Sequence, residues 1–125
     1  MRVVLGLVVV IFGGVWWGGQ VLAWLAPETA IRWGLKETES DVEPVFFADL
    51  EAEARWDAIA FWPMVVAGVP LRFDHEAWPY FGLVGAGRHL YFAGGGIAAR
   101  LTLQSRSFRI GTRNTVTVAL IALAL

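Results

Sequence analysis

Four apolar blocks alternate with polar connectors along the 125 residues of this chain. The first, Val3 to Ala26, carries no charge and one strongly polar side chain, Gln20. It exceeds the roughly 20 apolar residues that a membrane-spanning helix needs. A second block runs from Ala58 to Leu71, with Pro63 and Pro70 inside it. Alone it suits a re-entrant or interfacial segment, but a helix that starts near Val45 and includes it is long enough to cross with tilt, and that reading is favoured. A third, Ala77 to Ala99, would reach about 35 Å at helical rise, more than a hydrocarbon core of roughly 30 Å. The fourth, Thr115 to Leu125, covers only about half a bilayer. The pattern predicts helices over 3–26, 44–71, 77–103 and 115–125, the last cut short by the end of the sequence. The expected fold is all-α, a single transmembrane bundle of four helices.

The connectors 27–43 and 104–114 carry local signals of their own. Pro27, Glu28 and Gly34 suit the first turn, the dipole end and the C′ position of a short helix from Pro27 to Leu35, lying at the membrane surface. Lys36 to Glu43 is the most polar run in the chain and is expected in water. Ser40 and Glu43 have capping-box spacing ahead of the second long helix, with Pro44 in its first turn. Pro63 should kink that helix, because it lacks a donor and crowds the carbonyl four residues back. Arg72 to Glu76 reads as a tight polar turn before Trp78 and Pro79 open the third helix.

Composition agrees with the blocks. Hydrophobic residues make up 57% of the chain and charged ones 17%, and the charges are confined. Nine of the eleven acids lie between Glu28 and Asp57, and four of the ten basic residues between Arg100 and Arg113. A net charge of −1 with no basic patch gives nucleic acid nothing to bind. The absence of cysteine excludes disulfides, thiol catalysis and Cys-based metal or cluster sites. A signal peptide is the rival reading of the first block, with Arg2 as its basic region and Val21-Leu22-Ala23 before a cleavage point. The apolar run outlasts an ordinary signal core and continues through Trp16-Trp17, which favours a membrane helix.

Arg88 and His89 sit at the middle of the third block. A charge there costs about 2.5–3.5 kcal/mol on insertion scales, so it must face protein or water. Asp49, Glu53 and Asp57 recur every fourth residue and share one stripe of the second long helix. Asp57, nearest its apolar half, is the first-choice partner for Arg88, and Glu53 the second. Two readings follow: a lock that fixes one helix against another, or a polar cavity of Arg88, His89, Glu53 and Asp57 that passes protons or a small anion. Asp74-His75-Glu76 offers three metal-ligand side chains, but neighbours in sequence rarely bite one ion, so no metal is expected. No nucleophile–base pair, phosphate-cradling loop, HExxH site or spaced histidine pair is present, so neither catalytic residues nor a cofactor are expected.

Small residues suggest close helix contacts. Gly14 and Gly18 form a GxxxG pair, with Gly6 and Gly13 nearby, while Gly82, Gly85 and the triplet Gly94-Gly95-Gly96 thin the third block. Of the seven tryptophans, Trp24, Trp33, Trp56 and Trp78 fall near the expected interfaces, and Trp16, Trp17 and Trp62 lie deeper.

The Pro27 to Gly34-Leu35 segment, the acidic helix containing Asp49-Leu50-Glu51-Ala52 and the flanking apolar helices resemble small uncharacterised four-helix bacterial membrane proteins that are loosely similar to the DoxX group. The resemblance implies the bacterial inner membrane, and an association with quinone-linked redox complexes; it transfers no site residue. The sequence therefore points first to a non-enzymatic accessory or assembly subunit in the bilayer, partnered by its own copies or another membrane protein. A proton or small-anion conduit centred on Arg88 and Glu53/Asp57 is the second reading, and a subunit of a quinone-linked complex the third.

Overall fold

The computed structural model describes residues 1–111, so the expected fourth helix over 115–125 lies outside the described residues. The described chain is a helical bundle without strands: α1 Arg2–Leu25, α2 Pro27–Arg32, a 3-10 turn Glu39–Asp41, α3 Pro44–Ala60, α4 Trp62–Arg72 and α5 Trp78–Ser105. Helix α1 is long and apolar enough to cross a membrane, and among the described residues it is the one helix that is. Val4, Val8, Ile11 and Val15 follow one stripe of α1 and are each more than half exposed, while Gly6 and Gly13 on the opposite side are buried.

Helix α1 stops where Pro27 requires it. Ala26 leaves the helical region at φ −139° and ψ 63°, as the α conformation is disfavoured before proline, and Pro27 opens α2. Helix α2 closes with both bonds of a Schellman motif. The Leu35 amide donates to the Ala30 carbonyl at 2.9 Å and the Gly34 amide to Ile31 at 3.0 Å, with Gly34 at φ +73° as expected of a C′ glycine.

The single helix expected over 44–71 is two helices. Proline at position 63 cannot donate, and its ring would meet the Ile59 carbonyl in a continuous helix. The chain breaks at Phe61 and restarts so that Pro63 falls in the first turn of α4, where no donor is needed. The capping box does not form either. A helix capped by Ser40 would need a fourth-position amide at residue 44, which proline lacks. Helix α3 therefore starts at Pro44, and the Glu43 carboxylate accepts from Arg109 Nε at 3.3 Å instead.

Close packing comes from a subset of the glycines, and the expected GxxxG pair is outside it. A Cβ on Gly6 would stand 2.8 Å from the Arg72 nitrogen and the Gly68 carbonyl oxygen, and one on Gly68 2.8 Å from the Gly6 oxygen, so α1 and α4 cross backbone to backbone. A Cβ on Gly13 would meet Met64 and Val65 at 3.3 Å, and one on Gly85 of α5 would stand 2.9 Å from the Met64 Cα. A Cβ on Gly14, Gly18, Gly94 or Gly95 would have nothing within 4 Å among the described residues, and one on Gly82 would meet only Trp78 of its own helix. Gly96 is buried. Helix contacts follow backbone proximity, and the Gly14/Gly18 face is turned away from α4.

The polar run from Lys36 to Glu43 is partly interior, contrary to expectation. Lys36, Glu37 and Val42 are 4%, 2% and 1% exposed. Lys36 Nζ pairs with Glu51 Oε1 at 3.1 Å and lies 4.6 Å over the Phe47 ring. Val42 joins Phe46, Leu50 and Ile110 in a small core. The Glu43 amide donates to the Arg109 carbonyl at 2.8 Å, tying this connector to the chain after α5. Charged residues enter here because each burial is matched by a partner or an aromatic face. At the opposite end an Arg2–Asp74 ion pair fastens the start of α1 to the turn between α4 and α5.

Candidate functional site

The acidic stripe of α3 faces α5. Arg88 Nη2 donates to Asp57 Oδ1 at 2.7 Å, so the first-choice pair is the one present. The Asp57 side chain is 3% exposed and that of Arg88 21%. The guanidinium lies between two rings, 5.3 Å from the Trp56 centroid and 5.4 Å from Phe61. Phe61 can stand there because the chain breaks at that residue.

The pair is not saturated. Asp57 Oδ2 and Arg88 Nε are buried without hydrogen-bond partners among the described residues. Both residues line a cavity of about 460 Å³ together with Glu53, Trp56, Tyr91 and Phe92. Gly95 and Gly96 line it too; without side chains they leave it room.

His89 is separated from this cluster. Consecutive residues on a helix point about 100° apart, so Arg88 turns to α3 while His89 turns to α1. There it is fully buried, with ring centroids of Phe61, Phe12 and Trp16 at 5.3, 5.5 and 5.9 Å. Neither ring nitrogen has a partner among the described residues. Tyr91, two residues further along α5, is exposed. The expected four-residue polar cavity is thus a carboxylate–guanidinium cavity beside a histidine in an aromatic box.

Arg100 belongs to the arrangement and was not singled out from sequence. It is 4% exposed, donates from Nη1 to the Gly96 carbonyl at 3.0 Å, and lies over Phe46 at 5.8 Å. Its charge acts on Glu53 and Asp49. One signal was available: three carboxylates on one stripe call for more than a single opposing guanidinium.

A second cavity, of about 790 Å³, lies on the other side of Glu53. Gly14, Gly18 and Gly19 lie in its α1 wall together with Trp16, and Trp33 and Leu50 line it from outside α1. Among the described residues the GxxxG pair therefore bounds a space and makes no helix contact. Glu53 and Phe92 line both cavities. None of the ion pairs among the described residues includes Glu53. No group of three or more potential metal ligands exists among the described residues. Comparison with family models, with curated proteins and with solved structures finds no match.

Proposed function

We propose that the chain is a small integral membrane helical bundle that passes protons through the carboxylates Glu53 and Asp57. In this reading α1, the broken α3–α4 unit and α5 cross the bilayer, and the outward valine stripe of α1 meets lipid. One observation carries the conduit: Glu53 stands in the wall of both cavities, and Asp57 with Arg88 in the smaller one. Carboxylates at membrane depth are ordinary members of proton relays. Arg88 holds Asp57 in place by its 2.7 Å bond and balances its charge. A small anion is the weaker cargo, because the side chain at the junction is itself an anion.

Purified protein in liposomes, followed with a pH-sensitive dye under an imposed potential, should carry protons. Glu53→Gln should cut that flux at least tenfold while the thermal transition is kept. Wild-type flux equal to that of empty liposomes would end the conduit reading.

An accessory or assembly role is supported by a different feature. Tyr80, Leu83, Leu90 and Tyr91 expose 65–77% of their surface along α5, and a Cβ on Gly87 or Gly94 of the same helix would have no neighbour within 4 Å among the described residues. A partner helix has room to approach there. Cysteine placed at position 87 or 94 should give a disulfide-linked dimer or a cross-linked partner in native membranes. Strictly monomeric protein at both positions would count against this role.

A further inference from the structure

The larger cavity has a chemistry that the relay does not use. Its depth comes from missing side chains: among the described residues nothing approaches within 4 Å of where a Cβ would stand on Gly14, Gly18 or Gly19. Its remaining walls are mostly apolar and aromatic, Trp16, Trp33, Leu50 and Phe92 among them. A volume of about 790 Å³ is within the range of small-molecule sites, roughly 300–1,000 Å³.

One charge at the wall has no ion pair among the described residues. Two charged side chains line the cavity, Lys36 and Glu53. Lys36 is already neutralised by Glu51 at 3.1 Å. Four other charges act on Glu53, namely Arg100, Asp49, Asp57 and Arg88. They are two cations and two anions, so Glu53 is the odd charge of the group. An apolar aromatic chamber with one unbalanced carboxylate at its edge is complementary to a lipophilic cation. The rings of Trp16, Trp33 and Phe92 can face the positive centre or its substituents, and the carboxylate supplies the counter-charge that a cation leaving water requires.

We propose that this cavity binds a lipophilic organic cation, with its apolar body against the aromatic wall and its positive charge beside Glu53. The proposal builds on the reading of Glu53 as the functional carboxylate between the two cavities and adds a ligand class to it. An anionic amphiphile is disfavoured by the same carboxylate and finds Lys36 occupied.

The test uses two ions of matched shape and opposite charge. Full-length protein in an uncharged detergent is titrated calorimetrically with tetraphenylphosphonium and, separately, with tetraphenylborate. Tetraphenylphosphonium should bind saturably at one site per chain, at least tenfold tighter than tetraphenylborate. Glu53→Gln should remove that preference, and Gly18→Leu, which fills the chamber from α1, should weaken tetraphenylphosphonium binding at least tenfold. Equal affinity for the two ions, tighter binding of the borate, or no saturable binding of either overturns the proposal; the wild-type comparison decides even if a variant fails to fold. Binding without proton flux would retain the site and remove the conduit. Flux without binding would do the reverse.

Discussion

Replacing Asp57 with leucine should destabilise the bundle by about 3–5 kcal/mol, and replacing Arg88 as well should restore most of the loss. Removing one partner of a buried ion pair leaves the other charge uncompensated, whereas an apolar pair of similar volume is often as stable as the ions it replaces. In this pair Arg88 is the charge left behind. In the Asp57→Leu variant it would stand between Trp56 and Phe61, with the cavity as its one outlet. Thermal unfolding of the two single variants and the double variant completes the cycle. If Asp57→Leu melts with wild type, the pair is not what holds α3 against α5. If the double variant is stable but carries no protons, the ions are kept for conduction and cost the fold little.

The second large effect concerns the crossing of α1 and α4. Gly68→Ala places a methyl 2.6 Å from Val10 Cγ2 and 2.8 Å from the Gly6 oxygen and the Val10 nitrogen. The valine methyl can turn aside, but the backbone atoms cannot move without separating the helices. A loss of about 1–3 kcal/mol is expected, as for other overpacked contacts. Gly6→Ala meets backbone at 2.8 Å from the other side, so the two substitutions should not add. Gly14→Ala enters open space and should be neutral or gain up to about 1 kcal/mol from helix propensity. Melting temperatures in detergent compare the three directly. A Gly14→Ala loss as large as that of Gly68→Ala would mean that α1 packs through its other face.

These variants also mark where sequence reasoning succeeded and where it stopped. Arg88 and Asp57 could be matched beforehand because both are strongly constrained: one charge in the middle of an apolar run, one carboxylate nearest the apolar half of its helix. Gly14 and Gly18 fit a recognised spacing yet face a cavity, whereas Gly6, Gly13 and Gly68 make the contacts. A small residue permits close approach without saying from which direction a neighbour comes. His89 could not be separated from Arg88 by composition; the helix rotation between them does it. Lys36 and Glu37 read as solvent-exposed because their burial depends on Glu51, Phe47 and the chain after α5, all distant in sequence.

Local chemistry settled the all-helical class, the ends of α1 and α2 and the need for a counter-charge to Arg88. Proline without a donor, glycine at positive φ and a guanidinium among apolar residues act the same way in any surroundings. The break at Phe61 lay within reach of that logic, since Pro63 forbids a continuous helix; that Phe61 then stacks on both Arg88 and His89 did not. Which glycines touch, which side of α5 meets α3, and the position of Glu53 between two cavities are properties of helix rotation and crossing. Those are set by the sum of many weak contacts across the bundle, and only the tertiary structure fixes them.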